Sequence, residues 1–151
     1  MNKFYTEMWN DLVQDKDTVY HVGDFAFNNP CIYLPKLRGK IKLIPGNHDR
    51  QIKKAIGCKS LSGAKTEVLK LIQKVKVEDQ LIYLCHYPIE SWPQKHYNSW
   101  HLFGHVHSSF SSLREIKNRI HIGIDSSVDT LYSFEDIKEQ LSEDKTVLSS
   151  S

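Results

Sequence analysis

The sequence predicts a layered α/β domain with mixed β-sheets flanked by helices. Strand-like and helix-like stretches alternate through the first half, and strand-rich pairing takes over in the second. Glycine-bearing polar motifs stand directly after the apolar runs, the strand ends at which α/β proteins assemble their sites. A chain of 151 residues is read as one domain, 1–151, with a core able to bury roughly 70% of the unfolded surface.

The elements follow in order. Phe4, Tyr5, Met8, Trp9, Leu12 and Val13 form one stripe of a helix that ends at Asp15 to Asp17. Residues 18–22 read as a strand closing on Gly23-Asp24. A second helix is expected over about 29–37, with Pro30 in its first turn. Residues 40–44 form the next strand, stopped by Pro45-Gly46, and Asp49 is placed to cap a short helix over 50–56 that Gly57 ends. Residues 66–77 and 81–85 read as a hairpin about Glu78-Asp79-Gln80. An irregular aromatic loop over 92–97, strands over 100–103 and 119–124, and a helix over 134–141 complete the chain, with 143–151 a frayed polar tail.

Composition narrows the function classes. Twenty basic and 18 acidic residues leave a net charge of +2, too balanced for an electrostatic nucleic-acid binder. Nucleic acid is expected only as a phosphodiester substrate, and the basic stretches at 36–42 and 50–54 read as solvated faces. Cys31, Cys58 and Cys85 stand 27 residues apart without a CxxC pair. That argues against a disulfide framework and a zinc–thiolate site and for a reducing compartment, with Cys85 a buried small hydrophobe. No signal-peptide core follows Met1, and no apolar run nears the roughly 20 residues of a membrane span. The expectation is a cytoplasmic protein that does not enter membranes; nothing in the sequence speaks to oligomeric state.

The chemistry lies in four motifs: Gly23-Asp24, Gly46-Asn47-His48-Asp49, His86 in Cys85-His86-Tyr87-Pro88, and Gly104-His105-Val106-His107. Asp24, Asn47, His86, His105 and His107 are candidate metal ligands. Such nitrogen and oxygen donors without thiolate suit Mn, Fe, Zn or Ni. His105 and His107, two apart on extended backbone, share a face and can serve adjacent ions or pinch one. Asp24 is the candidate bridging carboxylate of a two-metal site, whose ions lie roughly 3.5–4 Å apart.

In this order and spacing the motifs resemble the later motifs of the calcineurin-like metallophosphoesterases, and the run Val19-Tyr20-His21-Val22-Gly23-Asp24-Phe25-Ala26-Phe27 is similar to their small phosphoesterases. The resemblance runs from about Trp9 to Leu141. It implies the layered metallophosphoesterase-like fold and two divalent metal ions. Asp24 would bridge both, Asn47, His86 and His105 would hold the second, and His107 would belong to the first. His48 and Asp49 would be the catalytic pair, His48 contacting the scissile phosphate and assisting the leaving oxygen while Asp49 orients it. A hydroxide between the metals would attack phosphorus in a small phosphate ester, a phosphomonoester or a phosphodiester.

One departure stands beside this. The family's first strand ends in Asp-x-His, which completes the first metal site, and this sequence begins at the helix that should follow it. Upstream of Asp24 only Asp11, Asp15, Asp17 and His21 occur, and none forms that motif. The expectation is therefore a phosphoesterase domain lacking its amino-terminal strand, with weakened metal binding and low or no activity. The rival is a non-catalytic remnant or binding module holding at most one metal. His21, His96, His101 and His121 read as structural or exposed, Trp92, Tyr97, Trp100 and Phe110 as loop and core packing, and Asp125 as a minor candidate for supporting the site.

Overall fold

The computed structural model describes residues 3–104, 116–122 and 131–141. The first helix, α1 (Lys3–Leu12), forms where the apolar stripe predicts it, but only Trp9 of the stripe within it is buried; Val13, just beyond, is buried too. Phe4 and Leu12 stay about half exposed. Polar contacts dock the helix: the Trp9 indole N–H donates to the Arg38 carbonyl at 2.9 Å, and Asn10 exchanges hydrogen bonds with Lys36 O and Arg38 N.

Strand β1 (Thr18–His21) pairs in parallel with β2 (Lys40–Leu43), which pairs in parallel with the short β3 (Glu67–Val68). Between β1 and β2 the expected helix over 29–37 is absent. Two 3-10 turns, Pro30–Ile32 and Leu34–Lys36, take its place. Pro35 explains the difference: in an α-helix it would owe a hydrogen bond to Cys31 O, which proline cannot donate, and its ring would strike that carbonyl. The helix expected over 50–56 is likewise a 3-10 turn, Ile52–Ala55. Gly57 follows it with φ +81°, the terminating role the sequence suggests.

The single strand expected over 66–77 is two. Its start is β3, in the first sheet, and its end is β4 (Ile72–Val77), in a second sheet. Strands β4 and β5 (Gln80–Cys85) form the expected antiparallel hairpin, with Glu78 and Asp79 both left-handed at the turn. Parallel strands β6 (Trp100–Phe103) and β7 (Arg119–His121) complete the order β4-β5-β6-β7, so this sheet is mixed. A second helix, α2, covers 134–141 as the sequence predicts. Residues 143–151 lie outside the described residues.

Two cores result from strand alternation. Ile41 and Leu43 point towards Trp9, Val13, Leu34, Leu37 and Ala55, on the α1 side of the first sheet. Val22 and Ile44 point the other way, into a core shared with Ile82, Leu84, Leu102 and Ile120 of the second sheet and Ile137 and Leu141 of α2. The molecule is thus mixed α/β, two sheets face to face with helices flanking them. Among the described residues no helix is long and apolar enough to cross a membrane.

Cys31 and Cys58 are joined as a disulfide, their Cα atoms 6.0 Å apart. This corrects the reading of three scattered thiols. Each cysteine lies in the crossover beyond its strand, and parallel pairing of β1 with β2 brings the two crossovers together. Cys85 is free and buried, as expected.

Candidate metal centre

Every described member of the motif series stands beyond the carboxyl end of a strand: Asp24 after β1, Asn47 after β2 and His86 after β5. Gly23 and Asp24 take consecutive left-handed conformations, φ +101° and +56°, and so turn the chain sharply at the top of β1. The turn leaves room for a side chain from the other sheet. The His86 ring lies where a Cβ on Gly23 would be, and Asp24 lies where a Cβ on Gly46 would be. Both glycines are needed for this close approach.

His86 is buried, and its Nδ1 meets the Val22 carbonyl at 2.8 Å across the junction of the two sheets. A carbonyl only accepts, so Nδ1 carries the proton and Nε2 faces the cleft. There Nε2 lies 2.9 Å from Asn47 Oδ1 and 3.3 Å from Asp24 Oδ2. Three acceptor atoms that face one another repel unless positive charge lies among them, either a proton on His86 or a cation. The spacing accommodates the latter as well: ligands roughly 2.1 Å from an ion are about 3.0 Å apart at right angles and about 3.4 Å at tetrahedral angles. The residues present therefore fit a divalent ion, and the Val22 carbonyl holds the His86 ring in the way that fixes ligating imidazoles.

The other Asp24 oxygen, Oδ1, accepts from His48 N at 2.8 Å, tying the β2 loop to the β1 turn. Asp49 does not hold His48 as expected. Its buried carboxylate accepts from three backbone N–H groups, those of Asp24 (2.7 Å), Gly46 (2.9 Å) and Ala26 (3.1 Å). It clamps the two loops instead. The neighbour of the His48 ring is Asn47, whose Nδ2 lies 3.2 Å from His48 Nε2, and Phe27 packs on the ring with centroids 5.1 Å apart. Donation from that amide leaves His48 Nδ1 as the N–H side of the ring, on an exposed residue at the mouth of the cleft.

His105 and His107, like Phe110 and Asp125, lie outside the described residues. Among the described residues no three His, Cys, Asp or Glu side chains group to hold a metal; the cluster above is two such residues completed by the amide of Asn47. His101 is fully buried, its Nδ1 donating to Tyr83 O and its Nε2 accepting from Ile89 N, and burial lowers its pKa. That is the structural role the sequence suggested. Trp92 and Trp100 are buried, whereas Tyr97 is 85% exposed.

His21, read from the sequence as structural or exposed, is packed into the fold. It lies in β1 with an edge-on contact to Phe25, and its Nδ1 is buried without a hydrogen-bond partner. Burial lowers its pKa from 6.5 to about 4, outweighing the opposing pull of Asp49 and Asp24.

No family model matches the chain. It is 29% identical over 114 residues to an uncharacterized protein of Methanocaldococcus jannaschii, a match covering 72% of this chain and 54% of the relative. The chain thus spans about half the length of that relative. Among solved structures it resembles a protein of unknown function from Aquifex aeolicus, with a TM-score of 0.57, 19% identity, and coverage of 95% of this chain and 86% of the other. That likeness is one of fold.

Proposed function

We propose that this chain is a metal-dependent phosphoesterase domain of metallophosphoesterase-like layering, acting on a phosphomonoester or phosphodiester at the cleft between its two sheets. The observation that carries the reading is the convergence of Asp24 Oδ2, Asn47 Oδ1 and His86 Nε2. Asp24, Asn47 and His86 would hold one divalent ion, with His105 as a further ligand; Asp24 and His107 would serve a second. Bound there, such ions lower the pKa of water and offset charge on a phosphate.

The chain's own groups do the rest. His86 is held in one tautomer by the Val22 carbonyl, so its Nε2 lone pair is always presented to the cleft. Asp49 fixes the Asp24 turn and the Gly46 turn to each other through backbone N–H groups. His48 stands exposed with Asn47 Nδ2 against Nε2, and its Nδ1–H would hydrogen-bond a phosphate or leaving oxygen and so stabilise the charge that develops there.

A second reading, a domain that binds one ion without catalysis, is favoured by the convergence of Asp24, Asn47 and His86 on a single point. Two measurements separate them. Hydrolysis of bis-p-nitrophenyl phosphate with Mn2+ should depend on Asp24 and His86; turnover unchanged in Asp24→Asn and His86→Ala refutes the phosphoesterase reading. Titration with Mn2+ should reach two ions per chain for the catalytic reading and one for the other.

A further inference from the structure

We propose that Cys31 and Cys58 form a reversible dithiol–disulfide pair, a modification site that ties together the two loops framing the Asp24–Asn47–His86 cluster. The inference does not depend on the phosphoesterase reading. Cys31 lies four residues beyond Phe27, the ring that packs on His48, and Cys58 closes the turn that follows Asp49. A bond between them therefore fixes the crossover leaving β1 to the crossover leaving β2.

Three features suit the pair to both redox states. Their Cα separation of 6.0 Å is within the ordinary disulfide range. Both sulfurs also lie over one carbonyl, that of Lys54, at 3.0 Å for Cys31 and 3.4 Å for Cys58, an acceptor to which the reduced thiols donate. Neither state leaves the sulfurs without a place. Third, both cysteines are only half-buried, so a small reagent can reach them. Cys85 is buried at the end of β5 with its thiol pKa raised by burial, and takes no part.

The oxidant is a low-molecular-weight disulfide such as oxidised glutathione. One cysteine thiolate attacks its S–S bond, forming a mixed disulfide and releasing a glutathione thiolate. The second cysteine thiolate attacks the protein-side sulfur and releases the other. The two cysteines lose two electrons and two protons, and the glutathione disulfide gains them as two thiols. Reduced glutathione in excess runs the exchange backwards.

The test equilibrates the folded full chain in buffers of graded reduced-to-oxidised glutathione ratio. Samples are then quenched in acid, unfolded, alkylated with a maleimide and weighed by mass spectrometry. The expected result is one two-thiol step, from three labels per chain to one, with the remaining label on Cys85. Three labels at every ratio overturn the proposal, as does a stable glutathione adduct in place of the cross-link. One label even in the most reducing buffer makes the bond permanent and overturns reversibility. Hydrogen exchange on the same samples reads the tether: amides of 25–32 should exchange several-fold more slowly when oxidised, and equal rates contradict the link between loops. Cys31→Ser and Cys58→Ser should each remove the step while retaining Cys85 labelling, and a step that survives in either assigns the bond elsewhere.

Discussion

Gly23 and Gly46 set how closely the ligands of the two sheets approach. At Gly23 a methyl group would meet the His86 ring and also demand a left-handed backbone from an L-residue. Strain and overpacking each cost about 1–3 kcal/mol, so Gly23→Ala should lose at least about 2 kcal/mol in urea denaturation. Gly57, left-handed with open space around it, supplies the comparison: Gly57→Ala should cost only the backbone term, about 1 kcal/mol. Equal losses at the two positions would contradict the packing argument. Asp49 and His48 separate in the same manner. Asp49→Ala strips the acceptor from three backbone N–H groups, and with unsatisfied groups at about 1–3 kcal/mol each the loss should reach about 3 kcal/mol. His48→Ala, on the surface, should stay within about 0.5 kcal/mol of wild type while lowering phosphoester turnover by about 100-fold or more. His21 predicts a pH dependence. The unfolded chain takes up its proton near 6.5 but the folded chain only near 4, so stability falls as pH drops through 6.5 and levels off below about 4. His21→Phe should flatten that slope in urea titrations at pH 7, 5.5 and 4.5. An unchanged slope would place the titration on other groups.

Elements whose pattern is local were legible in the sequence, and those decided by a proline or by a partner were not. Helix α1, strands β1, β2, β5 and β6, and α2 follow periodicity and stop signals. The expected helix over 29–37 fails at Pro35, a signal present in the sequence but outweighed by the apolar pattern around it. Strand β3 was hidden because Val68 and Leu69 serve different cores, a division that alternation over 66–77 cannot reveal without knowing that two sheets exist. The β4–β5 turn was legible from its polar residues, and its geometry adds a prediction. Glu78 and Asp79 both occupy left-handed conformations, which Asn-Gly adopts with less strain. Replacing the pair by Asn-Gly should raise stability by about 1 kcal/mol in thermal or urea denaturation, and a loss would mean that the exposed Lys76–Asp79 pair contributes more than such pairs do.

At the scale of the molecule, the cluster forms because the two sheets share one core, so that loops distant in sequence meet beyond β1, β2 and β5. Motif order announced which residues would meet. Geometry decided how each one is held, moving Asp49 from the His48 ring to the loop backbones and setting Asn47 between His86 and His48. It also brought Cys31 beside Cys58, which spacing alone had argued against. The central claim is that Asp24, Asn47 and His86 grip a divalent ion. Calorimetric titration of the full chain with Mn2+ tests it most directly, with Asp24→Asn and His86→Ala alongside Gly57→Ala as a folded control. Saturable binding in wild type and Gly57→Ala, weakened at least about tenfold in both ligand variants, is the predicted result. No binding by the folded wild type, or equal affinity in all four proteins, would contradict it.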